Sequence, residues 1–257
     1  MLELYHSGGT TCSKQVRQHL TEKGIPYVTH YLELSRYENL SPDYLKLNPN
    51  GVVPTLVHDG KPIINSFCIM EYVEDVFPEN PLRPADPVAR AKQRHWSWLA
   101  DEIHPTVANV TYSVLMRKRH QEMDRETVDW VAARMPVPER RERFLTVAGD
   151  GFSPEKIEDA WHRIDFVLGQ FDEAIGAGPW ACGAHYTLAD VSMLAIVARM
   201  GEINPHLIDK TRRPHLADWL ARSRARPAVQ KVYAVVSDES PARPTGKFSV
   251  KVAPRST

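Results

Sequence analysis

A small α/β domain followed by an all-helical domain is the architecture that this sequence predicts, and three observations carry it. Strand-like and helix-like segments alternate over the first 80 residues. "PENPLRPADP", residues 78–87, then places four prolines in ten residues, a stiff and extended connection. Beyond it the patterning is helical, with no convincing strand. The division reads as an α/β domain at 1–80, a linker at 81–88, a helical domain at 89–237 and a loosely docked or disordered tail at 238–257.

Each element has its own signal. "LELYH" is a short strand, and Val16 and Leu20 continue a helical face begun at Cys12. Gly24 stands where a helix C-terminus favours a left-handed residue. "YVTHYLEL" is β-branched and aromatic, a second strand parallel to the first through a right-handed crossover. "TLVHDGKPII" is a hairpin around Asp59-Gly60. Ser66 reads as N-cap of "FCIMEYVEDVF", with Met70, Val73 and Phe77 on one face. In the second domain, "VARAKQRHWSWLADEI" is helical and His104-Pro105 should break or kink it. Ser153-Pro154 starts a helix whose buried face runs Ile157, Trp161, Ile164, Leu168, Phe171, Ile175. Thr187 and Asp190 form a capping-box-like start, and two more helical segments precede the tail.

Composition narrows the function classes. The 257 residues carry 32 basic and 32 acidic side chains, so no net field would hold a polyanion, and no nucleic-acid partner is expected. The five arginines between Arg212 and Arg226 read as a solvated helix face. No window approaches the ~18 apolar residues of a membrane span, and "MLELYHSGG" has no signal-peptide character. Three widely spaced cysteines fit a reducing compartment, so the expected location is cytoplasmic. The 11 histidines show no metal-ligand spacing, and there is neither a phosphate loop nor a G-x-S-x-G elbow.

Chemistry is suggested by "GGTTCSKQV", Gly8 to Val16, between the first strand and the first helix. Thr10, Thr11, Cys12 and Ser13 place small hydroxyl and thiol groups at a helix start, where backbone N–H groups are free and the dipole favours an anion. From the residues alone, they are either caps of that helix or donors to a bound anion. A cleft between two domains is a favoured ligand site.

The order of elements, with "NPNGVVPTL", "INSFCIMEYVEDVFPE" and "HYTLADVSMLAIVARM", resembles the glutathione transferase family over roughly residues 2–235. That resemblance implies a thioredoxin-like first domain that binds glutathione and a helical second domain that holds the acceptor. It implies a cis Val53–Pro54 bond that turns the Val53 backbone toward glutathione as a short added strand. Ser66 would hold the γ-glutamyl carboxylate, and Asn39 would be a further glutathione contact. Asn65 stands where the family usually has an acidic or glutamine residue; it has no charge for the γ-glutamyl ammonium but keeps an acceptor oxygen. Thr187 and Asp190 take a folding role.

Within the family, "NPNGVVPTLVHDGK", "EYVEDVFPEN-PLRPADPVARA" and "MPVPERRERF…GDGF" are similar to the bacterial glutathione-dependent β-etherases, which cleave lignin-derived β-aryl ethers. The last falls in an insert at about 117–152 that helps cover the substrate site in those enzymes; by themselves its charged runs read as solvated helices. The resemblance implies that the glutathione sulfur attacks while the protein favours its thiolate. Alignment with the etherases selects Ser13 as donor, some bacterial classes select Cys12, serine-type classes select Thr10, and Thr11 remains a candidate. Tyr112 and His104 are the expected acceptor contacts, with Trp96 and Trp98 nearby. The expected product is a glutathione thioether plus a phenol. The alternatives are general conjugation, dehalogenation, thiol exchange through Cys12, or ligand binding without catalysis. A homodimer is expected, and a heterodimer with a related chain is possible on the same resemblance.

Overall fold

The computed structural model describes residues 1–234; the tail reading at 238–257 lies outside the described residues. In β1 (Leu2–His6), Leu2, Leu4 and His6 alternate inward. Helix α1 (Thr11–Lys23) ends at Gly24, whose φ of 71° lets its N–H turn back to the Leu20 and Thr21 carbonyls. Strand β2 (Val28–Tyr31) pairs parallel with β1. Two short turns of 3-10 helix and α2 (Pro42–Leu47), capped by Ser41, fill the segment before β3 (Thr55–His58) and β4 (Lys61–Ile64). Asp59 and Gly60 both take positive φ, the requirement of the tight hairpin turn. The sheet order is β2-β1-β3-β4, with β3 antiparallel to both neighbours.

Helix α3 (Ser66–Val76) corrects one sequence reading: Asn65, not Ser66, is its N-cap, and the Asn65 side chain accepts from the Cys68 N–H. Ser66 thereby becomes the first helical residue. The proline-rich connection is fastened rather than free. Buried Glu74 accepts from the Leu82 and Arg83 N–H groups, and Lys23 donates to the Glu79 carbonyl.

In the second part of the chain, α4 (Pro87–Glu102) and α5 (His104–Thr111) are separated at Ile103, where Pro105 limits continuation. A π-helical turn (Tyr112–Met116) follows, of the kind that often marks functional positions. The insert folds as α6 (Arg117–Gln121), α7 (Arg125–Arg134) and α8 (Pro138–Ala148). Its own small core joins Val131, Ala132 and Phe144 to Leu40 and Tyr37 of the first domain. Helices α9 (Pro154–Ile175), α10 (Leu188–Ile203), α11 (Pro214–Arg224) and α12 (Pro227–Ala234) complete the described chain. Apolar almost all round, α10 occupies the core between α4 and α1.

The arginine-rich stretch is solvated as expected at Arg212, Arg222 and Arg224, while Arg213 is buried and Arg226 half-buried. Arg212 and Arg213 both reach Asp165, Arg222 reaches the Pro179 carbonyl, and Arg226 grips Glu22 of α1 through two 2.7 Å bonds. Trp96 is core, whereas Trp98 is exposed on the other side of α4.

Candidate active site

A cleft of about 460 Å³ opens between the two domains and under the insert. The first domain contributes Thr10, Thr11, Cys12, Asn39, the 50–54 segment, Asn65 and Ser66 to its lining. From the second come Asp101, His104 and Tyr112, and from the insert Arg140, Arg143 and Phe144.

The Val53–Pro54 peptide is cis. The loop before it is held from behind. The buried Asn48 amide and the Tyr44 hydroxyl both donate to the Val52 carbonyl, and both bond Thr55. Asn39 donates to the Gly51 carbonyl at 2.7 Å. Gly51 itself has φ of 60°, and a β-carbon placed there would stand 2.9 Å from Leu40 and 3.3 Å from Pro136 of the insert.

At the first turn of α1, Ser13 turns away from the cleft. Its side chain is fully buried and does not line the cleft; its oxygen accepts from the Thr10 hydroxyl at 2.7 Å and the Ser7 N–H at 3.3 Å. Thr10, Thr11 and Cys12 do reach the cleft. Burial alone would push the Cys12 thiol up. The charge and hydrogen bond of His104, the Ser66 hydroxyl and the charge of Arg140 outweigh burial and bring it down to about 7. His104 is correspondingly raised, first by the charge of Cys12. Its Nε2 lies 2.9 Å from the Thr11 hydroxyl oxygen. Cys12, His104, Ser66 and Thr11 are therefore one connected group.

These contacts sit in a chain whose residues 11–76 match the model for the glutathione S-transferase N-terminal domain and whose residues 154–222 match the one for the C-terminal domain. Protein LigF of Sphingobium sp. strain SYK-6 is 31% identical over 239 residues, 90% of this chain and 93% of LigF. The chain belongs to the glutathione S-transferase family. The crystal structure of beta-etherase LigF from the same strain superposes with a TM-score of 0.85, covering 91% of this chain and 99% of LigF. Glutathione transferase F7 of Populus trichocarpa shares the fold, with a TM-score of 0.72 at 20% identity over 92% of this chain and 99% of its own.

In this transferase the insert lies between the two segments that match the family models. Its charged runs are not merely solvated: Arg140, Arg143 and Phe144 recur at the i, i+3, i+4 spacing of one helix face, and α8 turns that face to the cleft. That spacing was present in "PERRERF" as a signal. Asp101 was not signalled. It is brought beside Asn65 by the packing of α4 against α3, and the Asn65 amide donates to both its carboxylate oxygens at 3.3 Å. Tyr112 lines the cleft from the π-helical turn, its ring 5.5 Å from that of His120. Among the described residues, no cluster of His, Cys, Asp or Glu is placed to hold a metal ion, and no helix is long and apolar enough to cross a membrane.

Proposed function

We propose that this glutathione transferase cleaves β-aryl ether ketones of the kind derived from lignin, releasing a phenol and leaving a glutathione thioether. The observation that carries the reading is the likeness to LigF over nine-tenths of the chain, in a protein whose insert lines the cleft. Glutathione would lie along the 50–54 segment, its cysteinyl backbone paired with Val53 and its γ-glutamyl carboxylate at Ser66 and the N-terminus of α3. Asp101, held by Asn65, would supply the charge for the γ-glutamyl ammonium that Asn65 lacks. Asn39 would act through the Gly51 carbonyl it holds. The sulfur would sit at the first turn of α1, near Cys12, Thr11 and Thr10. There the helix dipole and the surrounding donors favour its thiolate. Tyr112 and His104 would face the acceptor. The ketone next to the β-carbon activates it, so displacement needs only a held nucleophile in a shielded pocket.

The deciding experiment incubates purified protein with glutathione and each enantiomer of such a ketone. Release of phenol with either one supports the reading. Its absence with both, together with ready conjugation of a chloro-aromatic, would leave a general transferase.

A second reading is thiol–disulfide exchange, favoured by the contact of Cys12 with His104 and Ser66. In it, the Cys12 thiolate would attack one sulfur of a glutathione mixed disulfide and the other sulfur would leave as a thiolate. Reduction of such a disulfide, abolished in Cys12→Ala, would mark this reading; unchanged reduction in that variant would end it.

A further inference from the structure

We infer that Arg140 and Arg143 form a receiving site for an aryloxide oxygen, so that the acceptor half of the cleft selects substrates whose aromatic leaving group departs as an anion. The inference deepens the ether-cleaving reading and rests on it for its kinetic consequence, but the anion site itself can be tested without turnover.

The geometry is that of a charge without a counter-charge. Both arginines line the cleft from the same face of α8, one turn apart. Arg143 spends its Nε on the Asn109 side-chain oxygen at 2.7 Å, an interaction that orients the guanidinium without neutralising it. Arg140 has no side-chain hydrogen bond and no carboxylate partner among the described residues. Among the described residues, the one carboxylate lining the cleft is Asp101, which accepts from Asn65. Arg199, also at the cleft, is already paired with Glu202. Burial and the neighbouring Arg140 charge both depress Arg143, as expected for two cations left to face each other. Such an arrangement is costly unless something negative enters.

What enters is defined by the neighbours. Tyr112, His120 and Phe144 line the same cleft, ring against ring, so the fitting anion is a flat aromatic one. In the proposed reaction the glutathione sulfur forms a C–S bond to the β-carbon as the C–O bond breaks. The bonding pair stays on oxygen, and the aryloxide later takes a proton from water. A phenol resembling the tyrosine side chain has a pKa of ~10, so its anion is a poor leaving group unless its charge is met as it forms. Guanidinium groups remain charged at any working pH and donate in a planar fork, the geometry suited to that oxygen.

A nitrophenol is a direct probe, because its ionised form absorbs in the visible. Titrated on the protein without glutathione, bound nitrophenol should ionise at a pH lower than in water by about one unit, a tenfold shift. Arg140→Gln should lose most of that shift and Arg140→Gln/Arg143→Gln all of it. Arg140→Gln alone breaks no side-chain hydrogen bond or ion pair among the described residues, so it keeps the test valid if the double variant is unstable. With ether ketones of graded leaving-phenol acidity, Arg140→Gln should slow the poorest leaving groups most, steepening the dependence of kcat/KM on phenol pKa; a merely structural role would lower all alike. Nitrophenol that fails to bind, or ionises identically on native and variant protein, overturns the inference. If no ether ketone is cleaved yet the nitrophenol shift is present and arginine-dependent, the etherase reading fails and the anion site stands.

Discussion

Successive side chains on a helix point ~100° apart, so the turn that aims Cys12 into the cleft must send Ser13 back toward Ser7 and Thr10. Sequence shows all four of Thr10, Thr11, Cys12 and Ser13 as small polar groups at a helix start, and nothing local fixes the rotation of that first turn. The rotation is set by Val16 and Leu20, which are fully buried one and two turns later. Ser13→Ala should keep kcat/KM within a few fold while costing ~1–3 kcal/mol of stability, since it strips the Thr10 and Ser7 donors of their buried acceptor; urea unfolding beside steady-state assays separates the two effects. Cys12, titrating at about 7, should be alkylated by iodoacetamide with a midpoint near that pH. His104→Ala removes the leading charge that favours the thiolate, so the midpoint should move upward toward that of an ordinary thiol, ~8.5. An unmoved midpoint would show that His104 does not tune this sulfur. Val53-Pro54 and Ser66 could be singled out because a short motif carries them. Asp101 could not, because its place beside Asn65 is produced by helix packing.

Among the elements, α10 shows how a polar group can hold an apolar helix. The Asp190 carboxylate accepts from the Ala181 and Thr187 N–H groups, the Thr187 hydroxyl and the Trp219 indole N–H, all within 3.0 Å. Asp190→Ala would leave these buried donors without an acceptor and should cost ~3–5 kcal/mol. Denaturation should report that loss while activity per folded molecule is retained. Helix α3 supplies the pH dependence. Glu74 is penalised by burial, but the bond and charge of His19, the charge of Lys23 and the Leu82 N–H hold it below the usual carboxylate range. Its contribution is therefore complete above the ordinary carboxylate pKa and is lost as pH falls through the lower folded value. His19 is depressed chiefly by burial, so acid costs stability there too, beginning near the ordinary histidine pKa. The acid limb of the stability profile should be shallower in Glu74→Gln, and an unchanged limb would exclude this source. The hairpin, the capping box and the break near Pro105 were legible as local chemistry. The N-cap shift from Ser66 to Asn65 was not, because either side chain can cap and the choice depends on the positive φ at Asn65. The charged insert helices misled for a related reason: a helix can show charge to water and to a cleft at once.

For the molecule as a whole, the two-part order was readable from the proline run and the change of periodicity, whereas the bonds that lock the parts together were not. Arg226 looked like surface charge, and only the fold reveals Glu22 waiting 204 residues away. Assembly is proposed on family grounds: light scattering at micromolar concentration should give about twice the 29.2 kDa chain mass, and a monomer mass would refute it. The missing side chain of Gly51 is what lets Leu40 of the first domain and Pro136 of the insert both close on the loop ahead of the cis bond. The insert is therefore not a portable cassette. Grafted onto a relative with any bulkier residue at that position, it would arrive without its seat, and a designer moving the α6–α8 segment would have to carry one distant glycine along with it.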